Sequence, residues 1–219
     1  MNLFVEREID MRRCGVLMPI SSLPSRFGIG GFSKEAYEFV DFLAESGQSL
    51  WQILPLGPTG YGDSPYQSFS TFAGNPYYIS LDTLIEEELL TEEECFWVDF
   101  GSDARYVDYE KIYRTRFGLL RKAYERADIE NDDDFWDFIE DNEDWLEDYA
   151  LYMAIKDSLG GISWIEWDTD IRLRKVRAIN RYKKELEDEI YFYYYQQYLF
   201  SKQWTALKKY ANKKGISIV

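Results

Sequence analysis

The chain has 219 residues, 46% of them hydrophobic and 18% aromatic, with no histidine and a formal net charge of −15. That length suits one large domain or two small ones, and the charge repels a nucleic-acid backbone or an anionic membrane surface. Without histidine there is no Ser-His-Asp or Cys-His catalysis and no histidine metal site, so acid–base work would fall to carboxylates, Lys, Tyr or Cys.

Residues 1–13 are charged and read as a frayed lead-in, with acids where a signal peptide would carry a basic end. No apolar run approaches the ~20 residues needed to span a bilayer. Cys14 and Cys95 read as reduced, buried thiols of a cytoplasmic protein. The run Cys14–Ile20 predicts a short strand buried on both faces. The glycines that follow, Gly28, Gly30 and Gly31, lack the third glycine of a dinucleotide fingerprint and read as turn chemistry. A helix is expected from Ser33, as N-cap, to Ser46, with Ala36, Phe39, Val40 and Leu43 on one face and Gly47 closing it. A second strand, Leu50–Leu56, completes a βαβ unit with parallel strands.

From Gly60 to Tyr78 the chain reads G-Y-G-D-S-P-Y-Q-S-F-S-T-F-A-G-N-P-Y-Y, rich in turn formers and aromatic rings. Glycine and proline make it irregular, and it starts at the C-terminal end of a strand, where α/β proteins bind ligands. Flat rings beside Asp63, Ser64, Gln67 and Asn75 suit a sugar, whose C–H face packs on a ring while its hydroxyls find hydrogen bonds. The other reading is a satellite core, with Phe69, Phe72 and Tyr78 packed beneath their own loop.

Beyond the loop the pattern is helical. A short acidic helix is expected at Leu84–Leu90, a capping box at Thr91 and Glu94, and a helix over 103–127. Asp128 to Asp148 holds twelve acids and no Lys or Arg; with Phe135, Phe138, Ile139, Trp145 and Leu146 between them, they read as the solvated face of surface helices. A D-x-D-x-D-G calcium loop is missing, and binding of a basic partner is the other use for such a face. From about Asp170 one long helix is expected to end near Asn212. Leu186, Ile190, Tyr193, Phe200, Trp204, Leu207 and Ala211 form its stripe, and Gln197 is the polar slot. Gly215 closes it and a third strand follows at Ile216–Val219.

Three parallel strands leave raw edges, and a closed eight-stranded β/α barrel takes ~250 residues, so the simplest architecture is the first part of a larger barrel. The division expected is 1–78 (two strands, first helix and loop), 79–180 (helical insertion) and 181–219 (long helix and third strand).

The runs S-S-L-P-S-R-F-G-I-G from Ser21 and W-Q-I-L-P-L-G-P-T-G-Y-G-D-S-P-Y-Q-S-F-S-T-F-A-G-N-P-Y from Trp51 closely resemble 4-alpha-glucanotransferases of the amylomaltase family. W-L-E-D-Y-A-L-Y-M-A-I-K at Trp145 and F-S-K-Q-W-T-A-L-K at Phe200 resemble it too. The resemblance implies the N-terminal portion of an α-amylase-like (β/α)8 barrel, its first three strands, with a large helical insertion between the second and third. It implies transfer of α-1,4-glucan segments between maltooligosaccharides with retention and no cofactor. Tyr66 matches the ring that stacks on the sugar at the cleavage point, Ser64 and Asp63 lie beside it, and Tyr61 matches a second glucan-binding position. The family's catalytic carboxylates come from later strands, beyond Val219, so none is assigned here and the missing barrel segment becomes a partner. A non-catalytic glucan-binding fragment is the alternative.

Overall fold

A computed structural model describes residues 12–60, 62–103 and 105–219; the lead-in up to residue 11 and Tyr61 lie outside the described residues. Three strands, β1 (Gly15–Leu17), β2 (Leu50–Gln52) and β3 (Ser217–Ile218), form a parallel sheet in that order. Parallel neighbours require crossovers. The first carries α1 (Lys34–Glu45), whose Ala36, Val40 and Leu43 are buried as their spacing predicts. Ser33 occupies the N-cap position, but its hydroxyl binds the Glu35 carboxylate at 2.5 Å and caps no backbone N–H. Gly47 closes the helix at φ 69°, a left-handed conformation that glycine adopts without strain.

The strands are shorter than expected, and the first is not buried on both faces. Register places Val16, Trp51 and Ile218 side by side on the face packed against the core. Gly15, Leu17 and Gln52 point the other way and are exposed, Leu17 by 54%. No helix among the described residues covers that second face, so the continuous apolar run is covered on one side only. Cys14, expected to be buried, is exposed at the head of β1, whereas Cys95 is buried.

The second crossover holds the remaining helices. Ser80 caps α2 (Leu81–Glu86), which starts three residues earlier than expected because that hydroxyl accepts from Thr83 N–H. The capping box of Thr91 and Glu94 opens α3 (Glu92–Phe96). Then come α4 (Tyr109–Arg126), α5 (Asp133–Asp141) and α6 (Glu143–Ser158), which ends at Gly160 and Gly161, both at positive φ. The single long helix expected from Asp170 is three: α7 (Thr169–Arg172), α8 (Val176–Glu185) and α9 (Glu187–Lys213). Arg174 at φ 53° interrupts the first pair, and the chain bends at Leu186 between the second. The bend lets Ala178 of α8 and Tyr193 of α9 reach the same apolar cluster, with Ile155 of α6 and Trp167. A larger cluster joins Phe32, Val40, Trp51, Leu81, Leu120, Phe135, Phe200 and Leu207, so α9 borders both.

Tyrosine is well suited to this spine, since its ring packs in a core while its hydroxyl seeks a partner. Along α9, Tyr193 donates to Asp157 of α6, Tyr198 to Asp132 at 3.0 Å, and Tyr210 to Asp41 of α1 at 2.8 Å. Several of the chain's many acids thus serve as internal fasteners.

Two outcomes follow for the fold. The Arg126 guanidinium, Thr91 N–H and Lys122 hold the Glu94 carboxyl well below the usual range. A carboxyl depressed on folding adds stability above its unfolded pKa near 4.5 and loses it as pH falls toward the folded value. Glu94→Gln, which can keep the capping box, should therefore lower the thermal midpoint most near neutral pH, with the gap closing in acid. Light scattering should show the 219-residue chain associating through its open sheet edges; a sharp monomer would contradict this.

Candidate functional site

The irregular loop that follows β2 is closed at its base, where Asn75 N–H donates to Leu56 C=O at 2.8 Å, and again by an antiparallel bridge between Thr59 and Ser68. Two turns shape its tip: Asp63 N–H to Gly60 C=O at 3.1 Å and Gln67 N–H to Ser64 C=O at 3.0 Å. Gly62 and Asp63 both take positive φ, at 93° and 52°. For Asp this is a tolerated conformation that most side chains avoid.

Pro65 sits between two cavities that lie on either side of the loop. An open cleft of about 650 Å³ is lined by Tyr66, Phe72, Trp145, Gln197, Phe200 and Trp204, and among the described residues no charged one borders it. A smaller cavity of about 150 Å³ is bordered by Ser21, Asp63, Asn75, Tyr77, Tyr78 and Tyr109. The Asp63 carboxyl is raised by burial, an effect opposed by a hydrogen bond from Thr59 Oγ1 at 3.4 Å. Burial likewise pushes the Tyr78 hydroxyl up to about 12 and the Tyr109 hydroxyl upward. Among the described residues Asp63 is the only carboxylate bordering either cavity. A retaining glycosyl transfer needs two, ~5 Å apart.

The expected site residues divide between these spaces. Tyr66 projects into the cleft with its ring 73% exposed. Asp63 and Asn75 meet at the small cavity, but Asn75 is buried and its Oδ1 accepts from Tyr77 N–H at 3.0 Å. Half of that amide is already used to cap the 3-10 turn Pro76–Tyr78. Ser64 is half-buried and Gln67 exposed, and neither borders either cavity. The satellite-core reading does not describe the rings: Phe69 and Phe72 are exposed, and Tyr78 belongs to the main core. Phe72 stacks on Trp145 of α6 at 6.0 Å and 20°, and Lys156 lies 5.6 Å over Phe69.

The loop's exit is held by side chains from far along the chain. The Gln197 amide accepts from Gly74 N–H at 2.7 Å and donates to Gly74 C=O at 3.0 Å. Gln203 does the same for Ser80, accepting at 2.6 Å and donating at 3.5 Å. Between them Arg116 of α4, only 2% exposed, donates to Ile79 C=O and, at 3.4 Å, to Pro76 C=O. Burial lowers its pKa to about 10, which leaves it charged at neutral pH. The sequence signalled Gln197 as a polar slot in an apolar stripe, and its helical spacing set Arg116 on the stripe of Tyr109, Ile112, Tyr113, Leu119 and Leu120 without a partner; nothing in it marked Gln203.

With the geometry in hand, comparison with known proteins decides the family. Residues 18–219 match the sequence profile described as 4-alpha-glucanotransferase. The chain belongs to this family. It is 52% identical over 210 residues to a 4-alpha-glucanotransferase of Streptococcus pneumoniae, covering 95% of this chain and 42% of that one. The enzyme of the same name from Clostridium butyricum is 50% identical over 202 residues, with 92% and 42% covered. Among solved structures, an amylomaltase of Streptococcus agalactiae in complex with acarbose superposes with a TM-score of 0.89 at 42% identity, over 94% of this chain and 42% of that one. An amylomaltase of Corynebacterium glutamicum, 22% identical, shares the fold with a TM-score of 0.71. The chain spans about 42% of the length of such relatives and folds as the first part of their barrel.

The site separates exposed residues from load-carrying ones, and unfolding measurements should do so too. Tyr66→Ala, at an exposed ring, should change unfolding free energy by no more than about 0.5 kcal/mol. A Cβ at Gly74 would overlap the Phe200 ring, and Gly74→Ala should cost about 1–3 kcal/mol. Urea titration of both variants checks the contrast.

Proposed function

We propose that this chain forms one wall of the glucan cleft of a 4-alpha-glucanotransferase that moves α-1,4-linked segments between maltooligosaccharides in the cytoplasm. The observation that carries the reading is the ring of Tyr66, exposed on a loop anchored at both ends, at the C-terminal end of β2 within a chain of this family. A sugar's C–H face packs on such a ring. Asp63, Ser64, Gln67 and Asn75 offer hydrogen bonds near it, and Tyr61 belongs to a second glucan contact.

In this reading residues 1–78 carry the first two strands and the sugar-binding loop, 79–180 a helical insertion, and 181–219 the long helix and third strand. The nucleophile and the acid–base carboxylate are supplied by the part of the relatives' length that this chain does not span. Three features support that division. Among the described residues neither cavity is bordered by a carboxylate pair. One sheet face, with Leu17 on it, is uncovered, as the inner face of an unclosed barrel would be. The ladder from Ile53 N–H to Val219 C=O, 2.9 Å, directs any continuation of β3 alongside Pro55–Gly57 and toward the uncharged cleft.

Double displacement then assigns this chain no proton and no bond-making atom. It holds the glucan by stacking and hydrogen bonds while the carboxylates act, a matter of positioning. The full-length gene product, given maltotriose, should release glucose and form longer maltooligosaccharides. The 219-residue chain, titrated with maltoheptaose and followed by Trp fluorescence, should bind weakly or not at all, because a cleft needs both walls. No product from maltotriose would count against the transferase, and tight binding by the chain alone would favour a glucan-binding module.

A further inference from the structure

Gln197 has both amide atoms committed to the backbone of one residue, Gly74, holding the peptide units on either side of it, although 123 residues separate the two. Gly74 lies where the loop turns back toward the core, directly over the Phe200 ring one helical turn further along α9. The close approach of backbone to ring and the paired hydrogen bonds fix the same point from two directions. Ala73, next in the chain, is buried in the second apolar cluster, while Phe72 stacks on Trp145. From there to the tip the loop makes no comparable bond to a helix among the described residues: Ser68 and Ser70 bond within the loop, and Tyr66 stands free.

We infer that Gln197 is a positioning residue for glucan binding: by locking the backbone on both sides of Gly74 it sets where the Tyr66 ring stands beside the cleft. This rests on the glucan reading of the loop. A buried amide that satisfies both a donor and an acceptor leaves both unpaired when removed, and the loop must then shift to find water. Gln203 provides an internal control. It holds Ser80 by the same pair of bonds, but Ser80 is the cap of α2 and lies beyond the loop. Losing Gln203 should destabilise the fold comparably without disturbing the cleft.

The test compares Gln197→Met and Gln203→Met, both near-isosteric and without hydrogen-bonding capacity. In the 219-residue chain, hydrogen exchange of peptides covering 57–74 should quicken at least about tenfold in Gln197→Met, which loses both hydrogen bonds to Gly74. Peptides of α1 should change little. In Gln203→Met the faster exchange should fall on peptides covering 76–86. In the full-length gene product, Gln197→Met should raise KM for maltotriose about tenfold with kcat within about threefold, while Gln203→Met leaves KM within about twofold. Equal KM rises in both variants would reduce Gln197 to general stability and overturn the assignment. Unchanged exchange in the loop, or a loosened loop with unchanged KM, would overturn it as well. A wild-type product that transfers nothing from maltotriose would instead remove the glucan reading, and the exchange experiment would still judge the clamp.

Discussion

The hydrogen-bonded pairing of Gln197 with the backbone of Gly74 is the constraint on which the placement of the aromatic loop depends. A long irregular loop has few ways to satisfy its backbone away from water, and here the exit from Gly74 to Ser80 is buried. Three side chains solve the problem in series: Gln197 at Gly74, Arg116 at Pro76 and Ile79, Gln203 at Ser80. Each is polar and nearly inaccessible, and each comes from a helix of the second crossover. Burying a guanidinium with no carboxylate beside it is normally costly. Here the guanidinium donates to two carbonyls that bracket the 3-10 turn, Pro76 at its start and Ile79 just past its end, while Nη1 has no hydrogen-bond partner among the described residues.

Helix α9 gathers these interactions because of its composition. Its tyrosines place rings in two apolar clusters and hydroxyls on aspartates of α1, α6 and the cap of α5. Its Gln197 holds the loop at Gly74 and its Gln203 the cap of α2 at Ser80, and its end feeds β3 through Gly215 at φ 80°. The sheet, by contrast, is small and covered on one face, with its stability drawn from the helices packed on Trp51 and Ile218 rather than from its few ladder bonds.

What the sequence made legible was local. The face of α1, the glycine at its end and the capping box of Thr91 and Glu94 each rest on residues a turn or two apart, and they fold as read. What it hid depends on distant partners. The Cys14–Ile20 run suits a strand covered on both sides equally well as one covered on a single side, and only the packing of α1 and α9 decides. Breaks at Arg174 and Leu186 follow from where the second cluster lies, not from a local breaker. For the site, the loop and its exposed Tyr66 were visible as composition. The use of the Asn75 oxygen as a cap, and the partner waiting for the polar slot at Gln197, were not.

Both glutamine pairings span the same 123 residues. A ribosome adding about 5–20 residues per second needs on the order of ten seconds to cover that distance. For that interval the loop exists as nascent chain, with Phe69 and Phe72 beside it, while the segment that will pin it has yet to be made. Its order therefore arrives from downstream, once α9 has emerged and packed. The pin at Gly74 is thus a late contact in the order of synthesis, and the rings of Phe69 and Phe72 stay exposed after it forms.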